Sequence, residues 1–155
     1  VFSTMRFLIL GWVEEHYIKP VFHFKYFGFE WVQPLPEFGM YAIHIIMIVA
    51  AIGVMIGFYY RISALILFLT FTYTELIDLT YYLNHYYFVS IVCALMIVLP
   101  AHKSFSFDVR KDADIATDVV PRWSILAIQL QLGIVYLYAG LAKINDTWLL
   151  EALPL

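Results

Sequence analysis

Gly39-Met40-Tyr41-Ala42-Ile43-His44-Ile45-Ile46-Met47-Ile48-Val49-Ala50-Ala51-Ile52-Gly53-Val54-Met55-Ile56-Gly57-Phe58-Tyr59-Tyr60 contains a single histidine and no other acidic or basic residue. A helix of that length matches the ~20 apolar residues needed to cross a ~30 Å hydrocarbon core. Outward from it, Ile62 to Tyr81, Tyr86 to Ala101 and Trp123 to Lys143 have spanning length or nearly so, each bounded by charged, aromatic or proline residues. The third run is the shortest; Asn84 is placed to cap it and Pro100 to close it. Phe2 to Tyr17 adds a remnant whose apolar stretch, Phe7 to Val13, is too short to span. The sequence therefore predicts an all-α polytopic transmembrane bundle of about five spans. Composition points the same way: 63% of residues are hydrophobic, 19% aromatic and 14% charged, with a mean hydropathy of +0.82. Residues 1–155 read as a single transmembrane domain, and a start at Val1 ahead of a short apolar remnant leads us to expect truncation at one or both ends.

The connections differ in character. Pro20 to Phe38 is rich in Phe, Tyr, Trp and Pro, the composition of a segment lying in the headgroup layer. His102 to Arg122 is polar and charged, hence an aqueous loop, while Tyr59 to Ile62 and Tyr82 to His85 read as tight hairpins. Antiparallel threading puts the Pro20 segment, the Tyr82 hairpin and the C-terminal end on one side, A, and the Tyr59 turn and His102 loop on the other, B. Side B collects Arg61, Lys103, Arg110, Lys111 and Arg122, against Lys19, Lys25 and Lys143 on side A. Cytoplasmic loops retain an excess of Lys and Arg, so side B is expected to be cytoplasmic and side A extracytoplasmic.

Ionisable groups at membrane depth are costly and usually face a partner, a cavity or water. Here the threading brings His44, Glu75, Asp78, Tyr81, Tyr82, His85 and Lys143 to the side A end. Glu75 and Asp78, three apart, could form a proton-handling pair or could pair with Lys143 or the hairpin tyrosines. His44 suits an interhelical hydrogen bond, and His85, after Asn84 at a helix start, a structural one. His16 and His23, near Glu14 and Glu15, read as part of a solvated amphipathic surface. Lys143 follows Trp123 by about 20 residues, or about one membrane thickness, so it either snorkels to the surface or faces the bundle. In the second case burial would favour the neutral amine, a candidate general base. Gln129, Gly133, Tyr136, Gly140 and Lys143 lie at steps of 4, 3, 4 and 3, forming one helix stripe that reads first as a packing seam.

Several chemistries are excluded. The 9 Lys plus Arg against 12 Asp plus Glu give a formal charge of -3 with no basic stripe, so no nucleic-acid partner is expected. Cys93 is the single cysteine, which excludes an intrachain disulfide and a CxxC motif. No GxGxxG, Walker-type loop, HExxH, GxSxG or repeated ExxH occurs, and no metal site is expected. Two transmembrane histidines, His44 and His85, leave a haem as a distant option.

Two stretches carry more than composition. Thr80-Tyr81-Tyr82-Leu83-Asn84-His85-Tyr86-Tyr87, with a following apolar run ending Leu99-Pro100-Ala101-His102, is one. Val135-Tyr136-Leu137-Tyr138-Ala139-Gly140-Leu141-Ala142-Lys143-Ile144-Asn145-Asp146-Thr147-Trp148-Leu149 is the other. They resemble the signature segments of the horizontally transferred transmembrane (HTTM) domain, the family related to vitamin K-dependent gamma-glutamyl carboxylase. Tyr17 to Val32 and Leu35-Pro36 are similar too, so the likeness covers nearly the whole chain. The resemblance implies that Lys143 is the base that deprotonates a vitamin K hydroquinone-like reduced quinone. It also implies that His85, in the Asn-His pair, lies close to that site. Dioxygen addition would then generate a base strong enough to take the γ-proton of a peptide glutamate, which captures carbon dioxide. The chain departs from animal carboxylases at Ala142, where they carry a second lysine, and at Tyr86-Tyr87, where they have Ser-Tyr; it also stops before any large substrate-gripping domain.

The expectation is thus a carboxylase-like, lyase-type membrane enzyme or quinone-binding protein with Lys143 and His85 as catalytic residues and Asn84, Tyr82, Tyr136 and His44 around the quinone. It would sit as a multi-pass protein in a bacterial inner membrane or the endoplasmic reticulum, with the bilayer, a peptide glutamate and other membrane subunits as partners. The alternative is a non-catalytic subunit of a larger membrane complex.

Overall fold

A computed structural model of the protein describes residues 1–144, all-helical with no strand among them. It divides into two compact units, Val1–Asp118 and Val119–Leu155. In the first, α1 (Phe2–Ile9) is followed by a break at Gly11, whose φ of +70° is open to glycine, and by a π-helical turn over Glu14–Ile18. After the irregular 19–36 stretch come α2 (Glu37–Ile56), α3 (Tyr60–Leu76), α4 (Asn84–Val98) and the short α5 (Phe107–Lys111). α2 packs on α3, α3 on α4 and α1 on α2.

α2 starts after Pro36, whose ring suits the first turn, and ends at Gly57 in the left-handed conformation (φ 65°, ψ 41°). Gly53 lets α3 come close, since a Cβ there would collide with the Ser63 hydroxyl. The turn itself is held from outside. Asp108 of α5 accepts hydrogen bonds from Tyr59 N at 2.8 Å and Tyr60 N at 2.9 Å, and its own N–H donates to Gly57 O at 3.0 Å. Tyr59 is held at φ +43°, an uncommon value for a residue with a side chain. The Lys111 ammonium lies 4.1 Å from the Tyr59 ring centroid. The His102 loop is therefore built onto the hairpin, not a free aqueous connection.

The core lies at the opposite end of this unit, where Val13, Val32, Met40 and Ile77 are buried with Phe7, Tyr17, Tyr41 and Tyr73 around them. Residues from the N-terminal turn, the 19–36 stretch, α2 and α3 meet there, so this end is packed on several sides. By contrast, Ile45, Val49, Met55, Ile62 and Leu69 on α2 and α3 remain exposed and apolar, the surface expected of helices that face lipid.

Element bounds differ from expectation: α2 ends at Ile56 rather than Tyr60, and α4 covers Asn84–Val98 rather than Tyr86 to Ala101. α3 stops at Leu76, short of Tyr81, because Asp78 turns extended (φ -145°, ψ 120°) and its carboxylate caps a 3-10 turn over Leu79–Tyr81. Asn84 is the first residue of α4, not its cap: Leu83 holds that position and no side chain caps the helix. In the second unit, α6 (Arg122–Ala142) begins after Pro121 and has Lys143 as its C-cap. Helices α2 and α6 are long and apolar enough to cross a membrane, and α4 is a shorter apolar helix. Gly133 and Gly140 of the α6 stripe open onto free space, where an added Cβ would meet nothing within 4 Å among the described residues.

Candidate functional site

A cavity of about 340 Å³ opens in the first unit beside its core, lined by residues of α1, the π-turn, α2, α3 and the Asp78–Tyr86 connection. Its size lies at the lower end of small-molecule sites, which run from ~300 to ~1,000 Å³. Antiparallel threading brings His44, Glu75, Asp78, Tyr81 and Tyr82 to this wall, as the sequence anticipated. The walls are largely aromatic, and the polar groups among them are few and individually held.

His44, buried within α2, uses Nδ1 on Met40 O at 2.8 Å. A carbonyl only accepts, so Nδ1 carries the proton and Nε2 is left as an acceptor. The ring stacks on Phe7, with centroids 6.2 Å apart and planes at 16°. His16 repeats the device in the π-turn, Nδ1 to Trp12 O at 2.9 Å, with its ring 4.3 Å from that of Tyr81. Two imidazoles of one fixed tautomer therefore border the same space. Glu75 accepts a hydrogen bond from the Ser90 hydroxyl of α4.

Asp78 closes the wall with three hydrogen bonds. Oδ1 accepts from Thr80 N at 2.9 Å and Thr80 Oγ1 at 2.8 Å, and Oδ2 from His23 Nδ1 at 3.0 Å. Burial opposes its ionisation, but the Thr80 and His23 hydrogen bonds and the His23 charge outweigh that and hold the carboxyl below the usual aspartate range. Tyr26, also on the wall, is pushed up by burial and by Glu75, Tyr82 and Asp78, so its phenol stays a neutral donor. Glu75 and Asp78 are thus not a pair with each other; each is committed to a separate partner.

Other expected residues fall elsewhere. Asn84 and His85 are exposed at the start of α4 and do not line the cavity; the His85 ring stands edge-on to Tyr86, 4.6 Å away, and Tyr86 does line it. Tyr136 and Lys143 belong to the second unit, where Tyr136 is exposed on α6. The solvated-surface reading of His16 and His23 is corrected: His16 lines the cavity and His23 is buried against Asp78. Both sit beside charged neighbours in sequence, so only the long-range fold reveals them. Among the described residues no three of His, Cys, Asp and Glu gather as metal ligands.

A family model for the HTTM domain matches residues 1–155, the whole chain. The chain belongs to the HTTM domain family. No solved structure matches it. HTTM is a membrane domain associated with the vitamin K-dependent carboxylase family, which accounts for the apolar α2 and α6. Of the HTTM-like stretches, Tyr17, Tyr26, Tyr81, Tyr82, Leu83 and Tyr86 border the cavity. Asn145 to Leu149 of the last stretch lie outside the described residues.

Proposed function

We propose that this HTTM chain is a vitamin K-dependent carboxylase-like integral membrane protein that binds a reduced quinone in the cavity between α1, α2 and α3 and oxidises it to drive carboxylation of a peptide glutamate at the extracytoplasmic face. The observation that carries this reading is the aromatic cavity with two imidazoles of fixed tautomer, His16 and His44, at one end of the first unit. The quinol, when bound, supplies an acidic hydroxyl and the reducing equivalents. His44 and Tyr82 orient it through hydrogen bonds, and the aromatic wall excludes water. Lys143 is the base and His85, with Asn84, its hydrogen-bonding support; Tyr136 lies on the same α6 stripe as Lys143. These roles rest on the HTTM-like motifs around them. In the bilayer α1 with its π-turn, α2, α3, α4 and α6 form the bundle of about five spans, several of them tilted or short.

A second reading has its own support. Gly133 and Gly140 lie seven residues apart on α6, small residues of the kind that let one helix approach another closely, and this favours a non-catalytic subunit of a larger membrane complex. One experiment separates the two. A lysine acting as base needs a removable proton, whereas guanidinium stays protonated at any working pH. Lys143→Arg and Lys143→Ala should both lower oxygen-dependent quinol epoxidation in membranes by about 100-fold or more, with unchanged extracted yield. Retained turnover in Lys143→Arg removes Lys143 as the base. A wild-type protein without turnover, whose loss dissolves a larger assembly, establishes the subunit.

A further inference from the structure

A second cavity of about 670 Å³ lies in the same unit, lined mainly by the 17–37 segment, with His23, Lys25, Gln33 and the exposed Glu30 and Glu37 on its walls. Among the described residues, only Tyr17 borders both cavities. The other bridge is a pair: Asp78 lines the aromatic cavity, His23 lines the charged one, and the two are hydrogen-bonded at 3.0 Å with side chains only 5% and 7% exposed. His23 Nε2 is buried and has no hydrogen-bond partner among the described residues. A buried orphan of this kind is destabilising, a cost a purely structural histidine could avoid.

The pair is held rigidly. Phe24 O accepts from Leu79 N at 2.8 Å, and the Lys25 ammonium donates to Ile77 O at 3.2 Å and Val32 O at 2.6 Å. Residues 23, 24 and 25 are thereby fastened to 78, 79 and 77. We propose that His23 and Asp78 form a proton relay through the wall between the two cavities. With the proton on Nδ1, Nε2 takes a proton from the charged cavity, Nδ1 passes its own to Asp78 Oδ2, and Asp78 hands it to an acceptor in the aromatic cavity. The imidazole is left with its proton on Nε2, from which the reverse sequence carries one proton outward. The relay therefore exchanges protons and does not pump them, and nothing is oxidised or reduced. Tyr17, Lys25, Glu30 and Glu37 are the other titratable groups on the charged cavity. The relay goes beyond the quinol reading and does not need it.

The test uses the full chain in lipid nanodiscs with ring-¹⁵N histidine, and reads how fast the Nδ1–H of His44, whose ring lines the aromatic cavity, exchanges on transfer to D₂O. His44→Gln assigns the signal. His23→Gln, whose amide can still donate to Asp78 but cannot relay, should slow the exchange at least tenfold, and Asp78→Asn should do the same. Imidazole added to His23→Ala should restore it. Near-ultraviolet circular dichroism checks the fold, and His23→Gln alone decides if Asp78→Asn does not fold. Unchanged exchange in His23→Gln, or no rescue by imidazole, overturns the relay. A protein that turns over no quinol still gives this result, so the two readings fail separately.

Discussion

Removing the Asp78 carboxylate should be among the most destabilising single changes in the first unit. Asp78 is 5% exposed and accepts three hydrogen bonds, from Thr80 N, Thr80 Oγ1 and His23 Nδ1. Bonds to a charged acceptor contribute ~1.5–3 kcal/mol each before non-additivity, and these three share one carboxylate, so Asp78→Ala should cost about 3–5 kcal/mol. Asp78→Asn keeps one oxygen for Thr80 but turns an amide donor toward Nδ1–H, so the imidazole must present its lone pair instead; the cost should be about 1–3 kcal/mol. The pH dependence has a definite sign. The native carboxyl sits below its ordinary value, so its contribution is complete above the unfolded pKa of about 3.9 and disappears as pH falls through the lower native value. Equilibrium unfolding by steric trapping in lipid, at pH 7 and at several acid values, measures both quantities. If Asp78→Ala costs less than about 1 kcal/mol at pH 7, or if the wild-type advantage over it persists undiminished below the native pKa, the pair does not hold this end together.

Asp108→Ala leaves the Tyr59 and Tyr60 amides without their acceptor while Tyr59 remains in its left-handed conformation, and should cost about 2 kcal/mol in the same unfolding measurement. Asp108→Glu should recover little, since the longer arm misplaces both oxygens; full recovery would show that charge, not geometry, is what the hairpin requires. For orientation, single cysteines at Ser104 and Gln33 in a Cys93→Ala background should react with an impermeant reagent from outside only at position 33, and labelling at 104 alone would reverse the bundle.

Much of the architecture was legible because it rests on local signals. The α2 run declares itself by apolar length, though not its end at Gly57, and the gathering of His44, Glu75, Asp78, Tyr81 and Tyr82 follows from threading antiparallel helices. The rest depends on contacts between distant residues. His23 meets Asp78 across 55 positions, and neither neighbourhood advertises it. His16 reaches the cavity because the chain breaks at Gly11 and continues as a π-turn, which shifts the face that a regular helix would present. α3 ends early because the Asp78 side chain offers Thr80 a better partner than the helix does, a competition that apolar periodicity does not register.

The clasp of Asp108 on the α2–α3 turn also bears on biogenesis. The two amides it satisfies precede it by 49 and 48 residues. At ~5–20 residues per second of synthesis, the hairpin waits about 2–10 s for its acceptor. Through that interval the nascent turn has the left-handed Tyr59 but not the carboxylate that holds it. The pairing of α2 and α3 is therefore provisional at first, and its register becomes final only when the loop beyond α4 leaves the ribosome and folds back onto them.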